Sequence, residues 1–288
     1  MRTRISKRMT RLLGVAIVVG MSTIAGCAHR QKTPGADTFE ARRQLAHELV
    51  MRGDWQPAFA YVDQLHREQP DDARVLVLRA TIYRERDLLG EAAVDLNEAI
   101  RLDPGLAAAR AALGILCDMQ RRPVDAEEQH RQAVKIEPKN PVYLNNLGFS
   151  LFLHGKIKEA ISFYEQAARL SPTAKRTRTN LGFAYAARGD LHRAAREFEM
   201  GGTPAEAKIN LGFAYERRGD MTNAFDLYVE AARLDPKSQR ARMNLAHAAE
   251  VTGRSVPVAT RDEAASDDVP ASGAIEVPTS GRTREASQ

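Results

Sequence analysis

A period of 34 residues runs through the middle of the chain. Prolines stand at 70, 104, 138 and 172, each behind a polar or acidic residue, and Asp235-Pro236 continues the pattern. Small residues keep the same step. Ala46, Ala80, Gly114, Gly148 and Gly182 form one set; Ala58, Ala92, Ala126, Ala160 and Ala194, then Ala224 after a shorter step, form another. A unit this short cannot bury an apolar face alone, so its copies must stack into one continuous array. Within a unit, related positions fall three and four apart, as in Ala160, Tyr164 and Ala167, and so share one face of a helix. Gly53, Gly155, Gly189 and Gly219 follow the first helix of their units, where a left-handed cap favours glycine. The prolines cannot continue a helix and end the second one. Aromatics at 6% argue against a sandwich or barrel, which needs β-branched and aromatic runs.

Four kinds of position held in register over six copies resemble the tetratricopeptide repeat, a helix–turn–helix unit. The resemblance implies an all-α fold: a right-handed superhelix, or solenoid, of about six repeats. These read as 39–72, 73–106, 107–140, 141–174, 175–204 and 205–238. Residues 239–252 continue as one more first helix, with no second helix to follow, and are expected to cap the apolar end. Two repeats depart from the pattern. Gly182 to Gly212 spans 30 residues, a loss of about one helical turn, so the facing of the next repeat is expected to survive. The third repeat has Arg121-Arg122-Pro123 where a glycine is expected.

Residues 1–11 are basic and residues 12–25 are largely apolar and uncharged, the two parts of an export signal. Ile24-Ala25-Gly26-Cys27 resembles the bacterial lipobox. That likeness implies a signal peptide over 1–26, a covalent lipid on Cys27 as the one attached group, a tether over 27–38, and an outer-membrane location facing the periplasm. An ordinary signal peptide or an uncleaved anchor is the alternative reading. Several acyl chains hold a protein firmly where one holds it marginally. From residue 253 the chain turns to Ser, Ala, Pro, Asp and Val without period and reads as a disordered tail to residue 288.

The net charge of +5 suggests a nucleic-acid partner only at first sight. Arg2, Arg4, Lys7, Arg8 and Arg11 account for it, and the remainder balances 37 basic against 37 acidic residues. Nucleic acid is therefore not an expected partner. Along the repeats, residues 39–140 carry 15 basic and 18 acidic residues, and residues 141–252 carry 16 and 12. Solvated helix faces account for this; a preference of the second half for acidic partners is the alternative.

No HExxH, CxxC, GxSxG or phosphate-binding glycine loop occurs, so neither an enzyme, a metal site nor a small-molecule substrate is expected. Cys117 reads as a small buried hydrophobe and Trp55 as packing at the start of a second helix.

Binding, if any, belongs to the concave face lined by the first helices. Asn146-Leu-Gly-Phe149, Asn180-Leu-Gly-Phe183 and Asn210-Leu-Gly-Phe213 lie there, and Asn244 extends the series. Asparagine and phenylalanine three apart share a face. The amide offers both donors and an acceptor to a peptide backbone, and the ring offers apolar area. This resembles the asparagine ladder of peptide-binding tetratricopeptide superhelices; packing between repeats is the alternative use of the rings. Bacterial lipoproteins of this architecture include the secretin pilotins of type IV pili and the lipoproteins of tight-adherence (Flp) pilus loci. The Asn-Leu-Gly-Phe runs and the short junction 202–211 are most similar to the latter. The resemblance implies a scaffold that assists assembly or localisation of a pilus or secretion apparatus, with proteins such as a secretin as partners. The other reading is a structural envelope adaptor for outer-membrane protein insertion or cell-wall machinery.

Overall fold

The structure, a computed structural model, describes residues 38–257. The expected signal peptide, Cys27, the tether up to residue 37 and the tail beyond residue 257 lie outside the described residues. Within them the chain forms 13 helices and no strand. The helices are α1 Phe39–Arg52, α2 Trp55–Glu68, α3 Ala73–Glu85, α4 Leu89–Leu102, α5 Ala107–Met119, α6 Pro123–Ile136, α7 Pro141–Leu153, α8 Ile157–Leu170, α9 Lys175–Arg188, α10 Leu191–Gly201, α11 Pro204–Glu216, α12 Met221–Leu234 and α13 Gln239–Thr252. Six hairpins and one additional helix stack into a tetratricopeptide solenoid.

Local chemistry starts and stops the helices. The Thr38, Asp72, Asn140 and Ser238 side chains accept hydrogen bonds from backbone N–H groups of the turn that follows. Pro123, Pro141 and Pro204 occupy the first turn, where a missing N–H costs nothing. Gly53, Gly155, Gly189 and Gly219 all adopt positive φ after a first helix. The second and third hairpins have no glycine there. Asp87 at φ 60° and Arg121 at φ 56° take the same left-handed conformation, against the steric preference of a residue bearing Cβ.

Within each hairpin a small residue faces a large one. A Cβ added to Gly114 would lie 2.6 Å from the His130 ring. The same atom at Gly148 would meet Tyr164 at 2.9 Å, at Gly182 Phe198 at 2.5 Å, and at Gly212 Tyr228 at 2.6 Å. His130, Tyr164, Phe198 and Tyr228 are all buried. In the first two repeats the small residue is Ala46 or Ala80, and the corresponding buried side chains are the smaller Val62 and Leu96. Volume is thus exchanged between partners while the helix separation is kept. In the third repeat the large position holds a histidine. His130 Nε2 lies 3.0 Å from Asp118 Oδ2, and Ser150 Oγ donates to Asp118 Oδ1 at 2.8 Å. A second buried polar link joins α3 to α4, where Arg79 donates through Nε and Nη2 to Asp95 at 2.7 and 2.6 Å.

The shortened fifth repeat ends α10 after 11 residues, where the other second helices have 14. Gly201 occupies the turn taken by Ala167 and Ala231 in neighbouring repeats. It is buried so tightly that an added Cβ would meet Thr179 Oγ1 at 2.9 Å and the Thr179 backbone nitrogen at 3.1 Å. The chain then restarts at once. Thr203 Oγ1 accepts from the Glu206 N–H, and Glu206 accepts from the Thr203 N–H at 2.7 Å, a reciprocal capping box.

Two outcomes follow from this packing. Gly182→Ala is expected to lower the unfolding free energy by about 1–3 kcal/mol, the usual range for overpacking, and Phe198→Leu in the same chain to recover part of it, as read by a double-mutant cycle in urea. Arg121 is exposed, and its side chain makes no hydrogen bond or ion pair among the described residues. Arg121→Gly is therefore expected to raise stability by about 1 kcal/mol through relief of the left-handed strain, visible as an upward shift of the thermal midpoint.

Candidate interaction face

The odd-numbered helices form one continuous row. α1 touches α3, α3 touches α5, and so on to α13, whereas no even-numbered helix touches another even-numbered helix among the described residues. Helices that meet on one side and splay on the other define a curved stack with the odd row on its inner face.

The four asparagines of that row are not equivalent. Asn146 is half-buried and makes no side-chain hydrogen bond among the described residues, so donor and acceptor both remain open there. Asn180 is tied to the preceding repeat: its Nδ2 donates to Asn145 Oδ1 at 3.1 Å. Asn210 is buried, and its Oδ1 accepts from Arg240 Nη2 at 2.8 Å. Asn244 is half-buried beside the Tyr228 hydroxyl, which itself donates to Glu216 Oε2 at 2.6 Å. Burial pushes the Tyr228 phenol well above its ordinary range and holds it as a donor.

The rings divide similarly. Phe183 lies edge-on to Phe198 at 4.8 Å and to Phe213 of the next repeat at 6.0 Å, a three-ring stack that joins two repeats. Phe149 packs against the central core cluster with one side and stays partly exposed. Asn145 was not singled out from the sequence, nor was Arg240 as a partner of Asn210. Asn145 was masked by its neighbour: in an Asn-Asn pair the period alone does not say which amide turns inward. Arg240 stands 30 residues after Asn210, across a repeat boundary, and only the stacked structure brings them together.

The other noted residues serve packing. Cys117 is buried, and burial raises its thiol above the ordinary value. Trp55 opens α2 and packs over Gly53. No three His, Cys, Asp or Glu side chains gather as a metal site among the described residues. No described helix is long and apolar enough to cross a membrane.

Solenoid, hairpin unit and inner asparagine row define a tetratricopeptide-repeat protein. A sequence profile described as the Cilia and flagella-associated protein 70 C-terminal domain matches residues 28–210, and the Tetratricopeptide repeat profile matches residues 205–238. The chain belongs to the tetratricopeptide-repeat family that these profiles describe. It is 32% identical over 91 residues to PilF, a type IV pilus assembly protein of Pseudomonas aeruginosa. That stretch is 31% of this chain and 36% of PilF, so the match spans little more than a third of the relative. Among solved structures, PilW, described as a widely conserved type IV pilus biogenesis factor, superposes with a TM-score of 0.61 at 18% identity. That superposition covers 72% of this chain and 98% of PilW. The Pseudomonas aeruginosa PilF structure gives 0.57 at 17% identity, covering 73% and 97%. At these identities the structural likeness establishes the fold.

A buried thiol of raised pKa should be nearly inert in the folded protein. In a Cys27→Ser background, Cys117 is expected to react with a thiol-selective reagent at least about tenfold more slowly in native buffer than in denaturant; equal rates would contradict its burial.

Proposed function

We propose that this protein is a lipid-anchored scaffold that helps assemble or localise a pilus or related secretion apparatus. The observation that carries the reading is the inner row of amide side chains on a solenoid whose sequence relative is the pilus assembly protein PilF. The anchor is a lipid on Cys27, the place of action is the periplasmic side of the outer membrane, and the partner is a secretin or another pilus component. The tight-adherence (Flp) system is the particular apparatus we favour, on the Asn-Leu-Gly-Phe runs and the short junction 202–211.

The mechanism is capture of an extended segment along the inner face. Asn146 offers a free amide to its backbone, Asn244 offers the part of its amide that the Tyr228 hydroxyl leaves unused, and the half-exposed edges of Phe149, Phe183 and Phe213 offer apolar area between the rungs. Asn180 and Asn210 keep the rungs in register by bonding to Asn145 and Arg240. The lipid fixes where capture happens.

The test is in-cell crosslinking followed by affinity capture from membrane extracts. Asn146→Ala with Asn244→Ala removes both amides, the second together with its contact to the Tyr228 hydroxyl, and is expected to cut recovery of pilus components by about tenfold, the cost of losing about one hydrogen bond per rung. A normally folded double variant that recovers the same partners in the same amounts would overturn capture on this face. Cys27→Ser is expected to release the protein from the outer-membrane fraction; unchanged fractionation would overturn the lipid anchor while leaving the scaffold reading open to the first test.

A further inference from the structure

Short loops make consecutive helices antiparallel, so the solenoid has two edges. One edge carries the turns inside each hairpin. The other carries the junctions between repeats, where second helices end and first helices begin, and α1 starts on it.

The charge of this junction edge changes along the solenoid. At the first two junctions most charges are matched: Arg42 with Glu68 at 2.6 Å, Arg43 with Asp72 at 3.0 Å, Arg67 with Asp63, and Arg101 with Glu98 at 2.6 Å. Three later junctions differ. Lys135 and Lys139, then Arg169, Lys175 and Arg176, then Arg233 and Lys237 are all exposed, and none makes an ion pair among the described residues. Residues 167–176 contain no acid at all. The acids of the other two junctions are engaged locally, Glu137 by Asn140 at 2.9 Å and Asp235 by the Lys237 N–H at 3.2 Å. The shortened junction between them contributes the acids Glu199 and Glu206, and its Lys208 pairs with Glu230 at 2.6 Å, which leaves Arg196, further back on α10, as its nearest unpaired cation among the described residues.

Exposed apolar side chains lie among these cations; others lie on the hairpin-turn edge at Met51, Met119 and Val124. Val142 is 58% exposed, Leu170 46%, Met200 50% and Leu234 54%; the first two junctions expose no large apolar side chain. Leu170 and Leu234 each follow an arginine directly.

We infer that the later half of the junction edge docks on an anionic lipid surface. Cations mixed with exposed aliphatic side chains are the composition that headgroups and the acyl boundary accept together. The cations recur at three of the four later junctions, strung along the edge from repeat to repeat. That suits a flat, extended charge rather than one peptide. Each unpaired cation near such a surface contributes to binding, and the contribution falls with salt. The geometry does not depend on the lipid at Cys27. It would set the orientation of the solenoid on the membrane, junction edge down, whatever holds the N-terminus.

The test is cosedimentation of the full chain with vesicles of phosphatidylcholine alone or mixed with phosphatidylglycerol, at low and high salt. Two variants of equal charge change are compared with the parent. One reverses the edge (Lys139→Glu, Arg169→Glu, Lys175→Glu, Lys237→Glu) and the other reverses exposed cations toward the opposite edge (Arg121→Glu, Lys158→Glu, Arg217→Glu, Arg218→Glu). The extra binding to phosphatidylglycerol is expected to fall at least about tenfold in the first variant and to change little in the second, with both folded by circular dichroism. The N-terminal basic residues are common to all three proteins and cancel. Equal loss in the two variants, or no dependence on phosphatidylglycerol in the parent, overturns the proposal. So does edge-dependent binding of soluble polyglutamate without vesicle binding, which would assign the edge to an acidic protein.

Discussion

The close contact between a small residue on the first helix and a large one on the second sets the distance on which every other feature depends. At Gly148 and Gly182 the facing rings come so near that one methyl group would collide with them. Each hairpin is thereby a unit of fixed thickness, and the next hairpin packs against a reproducible surface. Side chains on the first helices recur at nearly constant intervals for that reason, and a row of amides on one face becomes possible. Binding in a solenoid is a property of spacing before it is a property of any one residue.

The exchange of volume within this contact also explains why the repeats tolerate sequence change. Alanine opposite valine or leucine in the first two repeats, and glycine opposite histidine or an aromatic in the later four, reach the same end with different side chains. The third repeat shows the limit. Histidine fills the large position, and its ring nitrogen needs a partner in the interior. Asp118 supplies one and is itself held by Ser150 of the next repeat. A polar substitution at one position has drawn in two more, and the interface between the third and fourth repeats is therefore hydrogen-bonded at its core.

What the period fixes was legible in the sequence. The 34-residue step, the positions of the glycine and alanine sets, and the shortened fifth repeat all correspond to helices and junctions of the structure. What escaped depends on orientation or on neighbours distant in sequence. Asp87 and Arg121 adopt the left-handed conformation because the surrounding helices impose it, and nothing in their own chemistry announces it. The asparagine strings look identical as letters. They differ because Asn180 meets Asn145 and Asn210 meets Arg240, contacts across 35 and 30 residues. A pattern match reports which side chains share a face; it does not report which are already satisfied.

The shortened repeat shows how a length change in one element reaches the inner face. Phe183 and Phe213 are 30 residues apart and stack edge to face at 6.0 Å; Phe149 and Phe183, separated by the full 34, make no such ring contact. Loss of a turn from α10 lets Gly201 settle against the backbone of Thr179, and the capping box at Thr203 starts α11 without a longer linker. α9 and α11 are bridged by their rings at that point. The inner row is thus stiffened at its centre by the place where the repeat pattern fails. Asn146 on one side stays open, while Asn180 and Asn210, nearest the stack, spend hydrogen bonds within the fold and Asn244 on the other side spends one on the Tyr228 hydroxyl.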